Sequence, residues 1–295
     1  MGQEVGSRKI DTPVRRSNGE LQIIVDAHVH IHDRYKPDEF FDCAFSNITS
    51  AAKSLDSASA FAGVLMLTES EKENYFAGFA RALGSSPTSS PMGELETWSL
   101  VTTNEPCSLL AKNGDKKLAL IAGHQVAPAE DLEVLMLGTT EKVEDGLPIC
   151  DLLDEAERVG AVRVVPWGPG KWFFSRGKLV GDIIRRMEGR EFFLGDEGGR
   201  PVFWPTPTLF GEAARRGVRV LRGTDPLPFP WEVHRVATFG FWMKATFDWT
   251  RPWASIRPLL SDPDVTLQPY GRLERPIRFF RNQYGMQMRK RRRSR

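Results

Sequence analysis

The chain is short of cysteine, of histidine and of long apolar runs, and each shortage excludes a class of protein. Its three cysteines, Cys43, Cys107 and Cys150, are odd in number and far apart. They form neither a disulfide framework nor a paired-cysteine zinc spacing, and they suit a reducing compartment, so a cytoplasmic location is expected. No apolar stretch reaches the roughly 20 residues that span a bilayer, and no apolar signal segment opens the sequence. Charge excess is missing too: 40 Lys and Arg against 38 Asp and Glu leave a net +2. Even that sign comes from the tail. Without the six cations Arg289, Lys290, Arg291, Arg292, Arg293 and Arg295, the remainder stands at −4. No Gly-x-Gly-x-x-Gly turn follows the first strand, which argues against an open dinucleotide-binding sheet. Trp167-Gly168-Pro169-Gly170-Lys171-Trp172 lacks the full Walker spacing, which excludes an NTP-binding P-loop.

What is present is a long alternation of short apolar strands and amphipathic helices. At 295 residues the chain can bury a barrel-sized core. Residues 1–20 are polar, without apolar period, and read as a mobile leader. Buried strands are predicted at Leu21–Val25, Ala62–Leu67, Leu118–Ala122, Leu132–Leu137, Ala161–Val165, Phe192–Leu194 and Val218–Leu221. A helix opened by Pro37 has Phe40, Phe41, Ala44, Ile48 and Ala51 on one face, with Asp38 as its expected N-cap. Later helices are closed by Gly160, Gly189 and Gly217. Two short strands are expected within 96–111, helices over Trp231–Lys244 and Trp253–Leu260, and a last amphipathic helix over Pro276–Met288. Repeated strand–helix units predict an α/β fold: a (β/α)7–8 TIM-like barrel over 21–240, mostly parallel, with a C-terminal helical extension over 241–288 and a basic tail over 289–295.

Three of the five histidines fall in Val25-Asp26-Ala27-His28-Val29-His30-Ile31-His32-Asp33, where the first strand ends. Side chains alternate along a strand, so His28 and His30 share a face and can chelate one cation. Asp26 lies on the same face and could orient an imidazole or bridge metals. Other strand ends add Glu69, His124 with Gln125, Trp167, Asp196 and Asp225. His28, His30, His124 and Asp225 make a three-histidine, one-carboxylate ligand set suited to one Zn, Mn or Fe ion. Such an ion activates water for attack on an ester, amide or phosphorus centre, with Asp225 as base and His234 a candidate general acid. Lys171, Arg200, Asp196 and Trp167 are the candidate substrate contacts, and the basic residues among them favour a small anionic substrate.

Asp26-Ala27-His28-Val29-His30 resembles the opening motif of the metal-dependent hydrolase barrels, the amidohydrolase superfamily and the polymerase-and-histidinol-phosphatase (PHP) family. Gly223-Thr224-Asp225 resembles their closing Gly-Ser/Thr-Asp. The resemblance covers roughly residues 21–240 and implies a metal-dependent hydrolase. The chain departs from the PHP pattern at three places. Gln125 stands for a Glu, Trp167 for a His beside Pro166, and Leu227 for the last His. The resemblance therefore implies one metal at most. The competing reading is a barrel without metal or turnover, binding a ligand or partner through Trp167, Trp172, Trp204 and Trp231. For the tail, a solvated end is expected. Contact with nucleic acid or an acidic membrane is the weaker alternative, because no aromatic-interleaved basic face accompanies it in the sequence.

Overall fold

A strand apolar on both faces has to lie between two layers, and β1 (Leu21–Val29) is such a strand, buried along all but its first residue. The computed structural model describes residues 19–56, 60–84 and 91–293. The leader expected over 1–20 thus lies outside the described residues except for its last two. The chain continues through α1 (Pro37–Leu55), β2 (Phe61–Leu67), α2 (Tyr75–Leu83), β3 (Ser99–Thr102), β4 (Ser108–Asn113), β5 (Lys116–Ile121), β6 (Gly123–Val126) and β7 (Val134–Leu137). Then come α3 (Ile149–Arg158), β8 (Val162–Pro166), α4 (Phe174–Arg186), β9 (Phe192–Glu197), α5 (Thr208–Arg215) and β10 (Arg219–Gly223). A 3-10 helix (Pro230–Arg235), β11 (Phe239–Ala245), α6 (Pro252–Ser261), β12 (Gln268–Gly271) and α7 (Pro276–Arg293) complete it.

The strands form two sheets, in the orders β12-β11-β1-β2-β5-β4-β3 and β10-β9-β8-β7-β6. Strand–helix alternation predicts mostly parallel pairing, but the ladders are mixed. β1–β2–β5 and β8–β9–β10 are parallel, whereas β3–β4, β4–β5, β6–β7, β7–β8, β1–β11 and β11–β12 are antiparallel. The turns joining β3, β4 and β5, and the one joining β6 to β7, hold no crossover helix, and such connections permit only antiparallel neighbours. There are two cores. One packs α1, α2 and α6 against β1, β2 and β5; the other packs α3, α4 and α5 against β7 to β9. The first is shared between the sheets, since it also takes in Leu135 and Leu137 of β7, Val162 and Val164 of β8, Phe193 of β9 and Leu221 of β10.

Local sequence explains most elements. In α1 the buried residues Phe40, Phe41, Ala44, Ile48 and Ala52 recur at helical spacing. Asp38 is not its N-cap. It lies inside the first turn and accepts backbone N–H bonds from Glu96 (2.8 Å), Thr97 (2.9 Å) and Trp98 (3.0 Å), fastening the approach to β3. The stretch 231–244 is not a helix. A single 3-10 segment gives way at Val236 to β11, where Phe239, Phe241 and Met243 alternate into the core. The basic run does not leave the fold at 289: α7 continues through Arg293.

The two sheets meet along two seams. At the first, only Ala122 separates β5 from β6. There Gly123 C=O accepts from Glu69 N–H (3.1 Å) while Gln125 N–H donates to Glu69 C=O (2.9 Å). At the second, β10 runs against β1, and Asp225 N–H donates to His28 C=O (2.8 Å). That approach requires glycine: a Cβ on Gly223 would stand 2.2 Å from the His28 nitrogen. Gly223→Ala is therefore expected to lower stability by about 1–3 kcal/mol and to draw Asp225 away from His28. Denaturant unfolding beside a metal titration checks this, and an unchanged variant in both would show that the seam is looser than described.

Candidate metal centre

His28 and His30 leave the end of β1 with their Nε2 atoms 3.2 Å apart. Gln125 Oε1, from β6, lies 3.0 Å from His28 Nε2 and 3.2 Å from His30 Nε2. Asp225 Oδ1, just past β10, is 3.6 Å from each Nε2. Among the described residues, His28, His30 and Asp225 are a group whose donor atoms are close enough to hold one ion. A tetrahedral ion with bonds of about 2.0–2.2 Å keeps its donors about 3.3–3.6 Å apart, and tighter coordination brings them nearer to 3 Å. The observed separations of 3.0–3.6 Å fit that demand. Two neutral imidazoles, one carboxylate and an amide oxygen suit a borderline divalent cation.

Neighbouring groups orient these donors. Glu73 Oε2 lies 3.4 Å from His30 Nδ1 and accepts from Ser70 N–H (3.0 Å), while its Oε1 lies 3.2 Å from His32 Nδ1. A proton held on His30 Nδ1 by that carboxylate leaves the Nε2 lone pair facing the site. His32 Nε2 meets the Pro226 carbonyl at 2.8 Å, and Tyr35 Oη donates to the Leu227 carbonyl at 2.9 Å. Together they hold the loop that carries Asp225, whose backbone is left-handed at φ 45°. Aspartate tolerates that region better than most residues.

The electrostatics follow from burial and crowding. Burial drives His28 down to about 4, against the pull of the Asp225 carboxylate. Burial also works against the charged form of His30, but the Glu73 hydrogen bond and the Asp225 and Glu73 charges prevail and raise it to about 9. Without a cation, His30 thus carries a proton where a metal would be held. Glu197, at the end of β9, is buried and sits 3.8 Å from His28 Nδ1. Burial first, then the Asp225 and Glu133 charges, push its carboxyl well above the usual range, so that it can donate to Asp225. Burial opposes the ionised form of Asp225, but the imidazoles and the Glu197 hydrogen bond keep it below the usual range.

Of the residues proposed from sequence, His28, His30 and Asp225 come together and His124 does not. One residue along an extended strand reverses direction, so Gln125 faces the imidazoles. His124 turns instead toward Glu69 and Lys142, its Nε2 buried without a hydrogen-bond partner. Asp26 bridges no metal position: it accepts from the N–H groups of His28 (3.2 Å), Thr224 (2.8 Å) and Ala237 (2.8 Å) and from the Thr224 hydroxyl. His234 is exposed beside α1, with Nδ1 3.2 Å from Cys43 Sγ and Nε2 3.9 Å from Glu39. Asp196 and Arg200 form a buried two-pronged ion pair, at 2.8 and 3.0 Å, and so occupy each other. Lys171 lies between Asp131 and Glu133, 3.5 Å from each. Trp167 is buried edge-on against Trp204, Trp172 packs on Phe210, and Trp231 stacks on Phe229, so the tryptophans line no common pocket.

Sequence reading missed Glu73, Glu133 and Glu197. The signal for Glu197 was available, since it follows Asp196 at a predicted strand end and lies opposite Gly223 in the β9–β10 register. Glu73 lies outside any periodic segment and carries no such mark, whereas Glu133 lies within the predicted strand Leu132–Leu137 as its one acidic residue.

No family model matches the sequence, and no curated protein matches it. Among solved structures the chain is similar to PsfC from Pseudomonas syringae PB-5123, at 14% identity and a TM-score of 0.39, over 76% of this chain and 82% of that one. It is also similar to a two-domain protein containing a predicted PHP-like metal-dependent phosphoesterase from Bacteroides vulgatus, at 13% identity and a TM-score of 0.41, over 91% of this chain and 70% of that one. Likenesses of this size assign no chemistry. Among the described residues no helix is long and apolar enough to cross a membrane.

The buried Asp26 gives a separable test. Burial pushes its carboxyl up to about 6, against four hydrogen bonds, while the unfolded value is about 3.9. A raised folded pKa stabilises below the unfolded value and loses that contribution as pH rises through about 6. Wild type should therefore gain about 2 kcal/mol relative to Asp26→Asn between pH 7 and pH 4. At pH 7 the variant should still be less stable, because the amide NH2 turns a donor toward donors. A stability difference that stays flat from pH 4 to 7 would contradict the shift.

Proposed function

We propose that the chain is a metal-dependent hydrolase of an ester, phosphoester or amide, built on a barrel-like α/β frame with its site at the strand ends. The observation that carries this reading is the convergence of His28 Nε2, His30 Nε2 and Asp225 Oδ1, joined by Gln125 Oε1, at separations of 3.0–3.6 Å. When bound, a divalent cation supplies Lewis acidity and lets water act as a nucleophile near neutral pH. The protein's own groups do the rest. His28 and His30 present neutral nitrogen donors, and Glu73 fixes the His30 tautomer through Nδ1. Asp225 is the anionic donor and the group able to accept a proton at the site. The structure does not favour an anionic small substrate at this rim, because Lys171, Arg176, Arg200 and Arg222 all face carboxylates.

Titration of the metal-free protein with Zn, Mn or Fe(II), followed by calorimetry and by hydrolysis of an ester and phosphoester panel, tests the proposal. His30→Ala should abolish stoichiometric binding and turnover together. Glu73→Gln should weaken binding by about 10–100-fold while leaving the ligand set intact. Because His30 must lose its proton to bind metal, affinity should rise about tenfold per pH unit up to about pH 9. Tight binding that survives His30→Ala would move the metal elsewhere, and turnover without metal would end the proposal.

A further inference from the structure

We propose that the groove between the loop 228–231 and α7 is a binding surface for a single-stranded polynucleotide. The groove has a volume of about 580 Å³ and begins at Pro228, the residue after the Leu227 carbonyl that anchors the Asp225 loop. Its floor is aromatic. Phe229 and Trp231 stack nearly parallel, with centroids 5.0 Å apart and planes 6° apart, and the Arg281 guanidinium lies 4.6 Å above the Trp231 ring. Tyr284, 69% exposed, offers an open ring on the α7 wall. Arg34 and Arg289 stand at the rim.

Charge identifies the occupant. Between 276 and 293 the sequence has seven cationic residues and no Asp or Glu. Among the described residues, none of Arg34, Arg281 and Arg289 has a carboxylate within ion-pair distance. Arginines elsewhere commonly do, as with Arg163 on Glu157, Arg200 on Asp196, Arg235 on Glu274 and Arg257 on Glu191. Guanidinium groups without a carboxylate partner, one of them (Arg289) held by the Pro228 carbonyl at 2.9 Å, beside aromatic rings match a chain that alternates phosphates with bases. A membrane surface would call on a projecting apolar face. The rings here instead face a concave groove, which admits an unpaired strand whose bases can turn inward. The surface needs neither metal nor turnover, so it stands or falls separately from the hydrolase reading.

The test is fluorescence anisotropy with a labelled oligothymidylate of about 12 nucleotides, titrated with the full chain over a range of salt concentrations. Three phosphate contacts predict a log–log salt slope of about −2. Tyr284→Ala should weaken binding about tenfold and, because the ring is exposed, should leave the melting temperature unchanged. Arg34→Ala with Arg281→Ala should flatten the slope by about 1, and His30→Ala should bind as wild type. The proposal is overturned if both Tyr284→Ala and Trp231→Leu, each confirmed as folded, bind as wild type. It is overturned equally if a duplex of the same length binds as tightly as the strand. It is also overturned if the chain ignores the strand and floats with phosphatidylserine–phosphatidylcholine vesicles, an outcome that would assign the exposed Ile277 and Phe280 to a lipid surface.

Discussion

The buried carboxylate of Asp26 is the constraint on which the rest of the site depends. It receives N–H groups from three separate segments, at His28, Thr224 and Ala237, and one hydroxyl. Each hydrogen bond to a charged group is worth about 1.5–3 kcal/mol, and losing the acceptor would leave buried donors unpaired. Burial opposes the arrangement, since it raises the carboxyl to about 6, yet Asp26 is still mainly ionised at neutral pH. The result is that the end of β1, the end of β10 and the start of β11 cannot separate independently. Both imidazoles leave β1, and Asp225 follows Thr224 directly, so the tie at Asp26 sets the distance from carboxylate to imidazoles. Gly223 serves the same end by letting the two backbones approach.

Beyond that tie, the region is an acid-rich enclosure balanced by few cations. Glu73, Glu133, Glu197 and Asp225 surround two imidazoles, and Lys171 is divided between Asp131 and Glu133. Without added positive charge, protons make up the difference: one on His30 and one on Glu197. His30 holds its proton against burial and Glu197 holds its proton because of burial, and a divalent cation can enter such a site by displacing protons. The same crowding explains why Glu73 is held below the usual carboxylate range: burial opposes its charge, but hydrogen bonds from His30 and His32 outweigh it.

How much of this the sequence disclosed depended on the reach of the signal. Periodicity located β1, β2, β8, α1, α3 and α4 because their burial is set by local alternation. It failed at 231–244, where the breaks at Val236 and Ala237 divide one apolar stretch into a 3-10 turn and a strand. The histidine pair was legible because a strand's two-residue period fixes which side chains share a face. The same rule, applied at the end of β6 without knowledge of register, could not choose between His124 and Gln125. Chemical preference favoured the histidine; register favoured the glutamine, through the bridge that pairs Glu69 with His124. From sequence, Asp26 is expected to orient an imidazole or bridge metals, but its carboxylate is taken up by Thr224, Ala237 and the His28 N–H. Thr224 and Ala237 lie some 200 residues away in sequence, and no local pattern announces a bond of that range.

The aromatic groove shows the same limit from the other side. In the sequence, Arg34, the 228–231 loop and the basic helix are unrelated segments, and the tail carries cations without rings beside them. Folding supplies the rings. The backbone of α7 passes so close to Phe229 that a Cβ on Gly285 would stand 2.7 Å from its ring, and Trp231 Nε1 donates to Asn282 Oδ1 at 3.4 Å. The helix is therefore docked on the 228–231 loop through Asn282 and Gly285, with Arg281 over Trp231 and Arg289 donating to the Pro228 carbonyl at 2.9 Å, and Tyr284 lines the groove. A solvated tail would need no such docking. A glycine at the contact, a buried Asn282 bonded to Glu232 at 3.0 Å, and an absence of acids along the same helix make a surface fixed in position, on which Arg278 reaches Glu274 at 3.9 Å while Arg281 and Arg289 have no carboxylate within ion-pair distance. That combination separates a binding face from a soluble end, because the cost of holding like charges together is offset only when an anion arrives.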